Sequence, residues 1–234
     1  MNLVYLGTIL LGGVAALDAT PVGQTMLSQP LATATILGLL WNDLPTALEV
    51  GIVLQILAVS TQPIGARTPE DYATGGVVGA ALALALVTRQ PFLLIREASA
   101  LVGVIAGLVV AILGAALTRW LRRRNESLGR WCESELREGR EQALGAAHRA
   151  GIVLAFALGV SYTALCLALG LCLTGAVQME SLRLAKAWNL AHPLWLGLGL
   201  ARMLHAFVQR RLLRGALFGA ALVCAWIVLI VEAP

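Results

Sequence analysis

The chain has 234 residues, of which 59% are hydrophobic and only 13% charged, with a net charge of +4 and a mean hydropathy of +0.81. A soluble domain of this size has no core large enough to hide so much apolar surface, so the composition excludes one. The basic residues sit between apolar runs rather than along one amphipathic face, which excludes a nucleic-acid surface and reads as a set of membrane orientation signals.

A hydrocarbon core of roughly 30 Å takes about 20 helical residues to cross, leaving room here for about seven or eight crossings. The sequence therefore predicts an all-α fold, a polytopic transmembrane helical bundle forming a single membrane domain over 1–234. Leu3 to Leu17 has no basic residue ahead of it and runs straight into Asp18, which predicts a retained segment rather than a cleaved signal peptide. A polar, proline-marked stretch from Asp18 to Pro30 follows. The apolar run from Leu31 stops at Trp41-Asn42-Asp43, after about 11 residues, too few to span. The next run, Leu44 to Thr61, is interrupted by Pro45, Glu49, Gly51 and Gln55 and ends at Gln62-Pro63-Ile64-Gly65. These interruptions predict broken or re-entrant helices over 1–72, because irregular backbone at membrane depth survives only when buried or lining a cavity.

Ordinary spanning helices are expected at Tyr72 to Val87 and Ala98 to Leu117 within 73–117, and at Gly151 to Val177, His192 to Phe207 and Gly215 to Val231 within 151–234. Between them, 118–150 is hydrophilic and rich in arginine, which predicts a cytoplasmic segment. Arg210, Arg211 and Arg214, two crossings later, should return to that side, with Glu180 to Trp188 and the C-terminus opposite. Glycines four residues apart, at Gly75/Gly79, Gly103/Gly107 and Gly215/Gly219, predict close helix contacts.

Charged and amide side chains are expensive in a bilayer, and Asp18, Gln24, Gln29, Asp43, Glu49, Gln55, Gln62 and Asp71 crowd the first third of the chain. Carboxylates and amides suit sugar hydroxyls, since a carboxylate accepts and an amide both donates and accepts. No basic residue precedes Arg67, so a neutral polyol fits better than an anion. The plainer role for such groups is capping helix ends, as Asp43 after Asn42 would do. Cys132, Cys166, Cys172 and Cys224 form no C-x-x-C pair, and the three histidines have no partner at metal or triad spacing. Neither a metal, a cofactor nor an enzymatic dyad is indicated.

Residues Leu17 to Asp71 resemble the membrane-embedded IIC component (EIIC) of the mannose/fructose/sorbose-type sugar phosphotransferase system. The likeness rests on Leu17-Asp18 leading into a polar turn, Pro30-Leu31 opening an apolar run, Gly38 and Asp43 closing it, then Gly51, Gln55, and Gly65 with an acid at Asp71. The resemblance implies a multi-pass protein of the bacterial inner membrane that translocates a sugar within an oligomer. It further implies a companion membrane-embedded IID component and soluble IIA and IIB components that carry phosphate from phosphoenolpyruvate, so that this chain is a transport subunit and not itself the enzyme. By that likeness the substrate contacts map onto Asp18, Gln24, Gln55 and Asp71. Gln55 stands where the family typically carries a glutamate, and Gln29 where a basic residue is usual. Those departures, with a C-terminal half less glycine-rich than the family's, keep open an alternative: a transport-incompetent relative that docks or regulates phosphotransferase components.

Overall fold

The computed structural model describes residues 2–19, 21–59, 70–89, 95–172, 177 and 179–232. Gln62, Pro63, Gly65 and Arg67 lie outside the described residues. Eight helices form among those described: α1 (Asn2–Ala19), α2 (Pro30–Leu40), α3 (Leu44–Val59), α4 (Tyr72–Arg89), α5 (Ile95–Arg137), α6 (Gln142–Cys172), α7 (Ser181–Phe207) and α8 (Arg211–Glu232). α4, α5 and α6 are each long and apolar enough to cross a membrane, whereas α1, α2 and α3 are shorter apolar helices.

α4 is the central helix. Every residue from Tyr72 to Leu86 is buried, as expected of a helix apolar on all sides. Its glycines let it press backbone to backbone on α5. A Cβ on Gly79 would lie 2.6 Å from the Gly103 carbonyl oxygen, and one on Gly75 would lie 2.5 Å from that of Gly107. Both predicted glycine pairs of α4 and α5 therefore meet each other. The third pair does not behave this way: nothing lies within 4 Å of the Cβ position of Gly215 or Gly219, and α8 leaves Leu212, Phe218, Leu222 and Val223 exposed.

The short second run is the first leg of a helical hairpin. α2 opens with Pro30 at its first turn, where a missing N–H costs nothing, and closes at Trp41. Asn42, at φ 56°, makes the reversal, and Asp43 caps α3 by accepting from Thr46 N (3.2 Å) and Thr46 Oγ1 (2.7 Å). At about 1.5 Å per residue α2 rises about 16 Å, roughly half the hydrocarbon core, so the hairpin is re-entrant in length. Its tip rests on α1, where Trp41 Nε1 donates to Thr8 Oγ1 (3.1 Å) and the Trp41 ring meets Tyr5 edge-on.

The bundle has two chemically different ends. At one, Arg96 at the start of α5 donates to Thr46 Oγ1 (3.1 Å) and pairs with Asp43 (3.5 Å) at the hairpin tip. At the other, Asp71 N donates to Ala111 O (2.8 Å), and α5 continues past Leu117 as an uninterrupted helix to Arg137. The hydrophilic 118–150 stretch is thus no open loop: it turns at Gly139, φ 81°, and returns as the first turns of α6. Cys132 and Ala143 are buried between its legs, and Arg140 bonds Glu135 and Glu138 at the tip. That hydrogen bond from Arg140 holds the Glu135 carboxyl below the usual glutamate range. α7 packs its first half against α3, where Trp188 Nε1 donates to Glu49 Oε1. Arg210, Arg211 and Arg214 follow between α7 and the first turn of α8.

Candidate functional site

The polar stretch after α1 is organised by one carboxylate. Asp18 is 6% exposed. One of its oxygens accepts from Thr25 N (2.6 Å) and Thr25 Oγ1 (2.7 Å), and the other accepts from Ser28 N (2.8 Å). The chain can fold back this tightly because Gly23 (φ 86°), Gln24 (φ 52°) and Met26 (φ 69°) take left-handed backbone angles. Such angles suit glycine and cost the other two residue types about 1–3 kcal/mol each, which the charge-assisted bonds to Asp18 offset. Val22 to Met26 are exposed. Burial across the whole stretch, expected from its place in the membrane, holds for Asp18 and Pro30 and not for the turn itself.

The loop ends on a second polar group. Gln29 caps α2 without a side-chain bond to the helix. Its Oε1 instead accepts from Gln55 Nε2 (2.9 Å), while Gln55 Oε1 accepts from Leu31 N (3.2 Å). Gln55 thereby satisfies one of the orphan amides at the start of α2 and ties the second half of α3 to the loop's last residue. Gln24 projects from the exposed turn between these anchors.

Asp71 is placed apart from them. Its Oδ1 accepts from Thr74 N (3.1 Å), capping α4, and its side chain fits a notch on α5 where a Cβ on Gly114 would lie 2.6 Å from that of Asp71. It lines a cavity of about 60 Å³ with Ala16, Ala19, Thr118 and Tyr162. That is well below the roughly 300 Å³ at which ligand pockets begin, so the cavity suits water rather than a sugar. Among the described residues no hydrogen bond joins Asp18, Gln55 and Asp71 to one another. The structure groups Asp18, Gln24 and Gln55 on one loop and its support, and sets Asp71 at the α1–α4–α5–α6 junction.

Two participants are absent from the residues picked out as contacts. Gln29 stood among the costly polar groups of the first third and where a basic residue is usual in the family, but its partner was not visible, since its bond to Gln55 pairs positions 26 residues apart. Glu49 stood among the first third's costly polar groups, but its partner is distant in sequence: Trp188 Nε1 donates to Glu49 Oε1 at 2.7 Å, and Trp188 is fully buried against His192. A lone carboxylate inside an apolar helix signals that such a partner exists, without naming it.

Helices long and apolar enough to cross a membrane, with a half-length hairpin beside a carboxylate-held polar turn, define the class: a membrane-embedded helical subunit with broken helices. The chain belongs, more narrowly, to the phosphotransferase-system sorbose-specific IIC component family, whose model matches residues 3–232. Two solved structures are similar in fold. One, described as the structure of a membrane protein, aligns with a TM-score of 0.70 at 16% identity, covering 97% of this chain and 96% of that one. The other, the mannose transporter ManYZ in complex with microcin E492, aligns with a TM-score of 0.57 at 17% identity, covering 97% of this chain and 95% of that one. No curated protein matches this chain.

Proposed function

We propose that this chain is the sugar-translocating IIC component of a phosphoenolpyruvate-dependent mannose-type phosphotransferase system, multi-pass in the inner membrane with its arginine-rich end in the cytoplasm. It works in an oligomer with a companion IID component, while soluble IIA and IIB components transfer the phosphate. The observation that carries this reading is the Gln29–Gln55 bridge at the end of the Asp18-held turn, in a chain of this family. Two neutral amides facing each other offer donors and acceptors of both kinds, and a sugar hydroxyl replaces such a bond at little net cost. Gln24 on the same turn supplies a further amide. Asp18 acts in this scheme by shaping the turn, and Asp71 by fixing the start of α4 against α5, so that both serve the substrate path through position.

The test is reconstitution of the full chain with its companion membrane component and soluble partners in proteoliposomes, following uptake and phosphorylation across a panel of hexoses, ketoses and polyols. Phosphoenolpyruvate-dependent accumulation of at least one sugar is expected. Assembly of the complex without flux for any sugar would overturn translocation and favour the second reading, a docking protein. That reading is favoured by one feature of the site: both ends of the Gln55 amide are already bonded inside the protein.

A further inference from the structure

We propose that the membrane-proximal turns of α5 form a binding site for an anionic phospholipid headgroup, built from Arg119, Trp120, Arg123 and Arg124. The helix writes this site on one face. Ile105, Val109, Ile112 and Leu113 are exposed apolar residues, and Ala116 continues their stripe. At about 100° per residue they share an arc of about 140° with Arg119, Trp120, Arg123 and Arg124. The acyl-facing stripe therefore runs without a break into a cationic patch, with a half-buried tryptophan at the boundary where aromatic rings settle between hydrocarbon and headgroup.

The patch is unneutralised. Arg119, Arg123 and Arg124 make no ion pair among the described residues, in contrast to Arg140, Arg96 and Arg183, each of which holds a carboxylate. Arg124 lies over the Trp120 ring, its guanidinium carbon 5.2 Å from the centroid, a cation–π contact that holds the charge beside the indole at the head of the stripe. Arg119 and Arg123, four residues apart, rise one above the other on the same face. Planar guanidinium groups recognise phosphate through paired N–H donors, and a lipid phosphate at this height has its acyl chains directly over the Ile112–Leu113 stripe. A free phosphate would gain nothing from that stripe, and the occupant is therefore a lipid.

Native mass spectrometry of the full chain, exchanged into an equimolar mixture of phosphatidylglycerol and phosphatidylcholine with identical acyl chains, reads the site as a ratio of retained lipids. Wild type should retain phosphatidylglycerol preferentially. The triple variant Arg119→Gln, Arg123→Gln, Arg124→Gln should lose that preference by on the order of tenfold or more, since each arginine near an anionic surface contributes roughly fivefold. The corresponding triple arginine-to-lysine variant keeps the charge but not the paired donors, so it should retain a preference weaker than wild type and stronger than the glutamine variant, which separates recognition from damage to the fold. Equal ratios in wild type and the glutamine variant overturn the proposal. Displacement of the retained lipid by excess glycerol phosphate would make the site a phosphate site instead, and loss of a co-purifying protein in the glutamine variant without any lipid preference in wild type would make it a protein interface. Either result also overturns it.

Discussion

Along the seam between α4 and α5 two backbones touch through Gly75, Gly79, Gly103 and Gly107, with carbonyl oxygens standing where a side chain would begin. The turn between α1 and α2 is held instead by three bonds to Asp18 and one bridge between amides, with Val22 to Met26 exposed. Packing of the first kind has no alternative partner: any shift opens a void or forces an overlap. Hydrogen bonds of the second kind can be exchanged for bonds to a ligand of similar polarity with small net change. The seam is thus the frame of the molecule and the turn its adaptable part, which is the division a translocating protein needs.

The largest effect should come from breaking the frame. Gly103→Val puts a branched side chain against Gly79 O and the Ala83 methyl, and the seam has nowhere to relax because α4 is buried on all sides. A loss of about 3 kcal/mol or more is expected, seen as a lower melting temperature and loss of the monodisperse peak in detergent gel filtration. Gly219→Val, on a helix with open space at that position, should melt like wild type. Equal melting of the two variants would end the distinction between frame and turn.

A smaller, local effect is expected at Asp18. Asp18→Asn keeps the shape and one acceptor oxygen but removes the charge shared by Thr25 and Ser28, costing roughly 1.5–3 kcal/mol within the turn. Amide hydrogen exchange at Thr25 and Ser28 should quicken by about tenfold to a hundredfold, while amides on α4 stay protected. Uniform quickening along the chain would mean that turn and frame are one cooperative unit.

Next in size is the contact that ties the hairpin to the later helices. Trp188→Phe removes the donor to Glu49 and leaves that carboxylate oxygen without its partner, so about 1–2 kcal/mol is expected from thermal unfolding. Glu49→Gln should cost less, because the amide oxygen still accepts from the indole.

How much of this was legible beforehand follows from where the forces act along the chain. The spans at α4, α5 and α6, the short α2 and the break at Asn42-Asp43 were written in local composition, since bilayer thickness and capping are read residue by residue. The α4 and α5 glycine pairs were visible as spacing, but the same spacing at Gly215/Gly219 was not a contact: small residues permit approach without specifying a neighbour. The helical continuation of α5 through Thr118–Arg137 was hidden because polarity there marks the end of the membrane and not the end of the helix. Asp18 and Gln29 stood out by cost, whereas Thr25 and Ser28 did not, since short polar residues in a turn are ordinary. The Glu49–Trp188 bond joins residues 139 apart, and nothing in either neighbourhood points to the other.

The finest distinction is at the amide bridge, where stability and function should separate. Gln29→Leu removes one neutral bond at an exposed position and should cost about 0.5–1 kcal/mol. Gln55→Leu should cost somewhat more, because it also strips Leu31 N, one of the orphan amides of α2, of its acceptor. The double variant should be no worse than Gln55→Leu alone, since both singles remove the same bridge, and a cycle of the four melting curves measures that coupling. Gln55→Glu keeps an acceptor for Leu31 N and asks only that the Gln29 amide turn to donate, so it should melt near wild type. Transport is expected to respond in a different order. If sugar hydroxyls replace the bridge, Gln55→Leu leaves them unpaired and lowers apparent affinity about tenfold to a hundredfold, far beyond its effect on folding, while Gln55→Glu sustains uptake. Affinity losses that merely track the melting temperatures across all four proteins would assign Gln55 to the frame rather than to the adaptable turn.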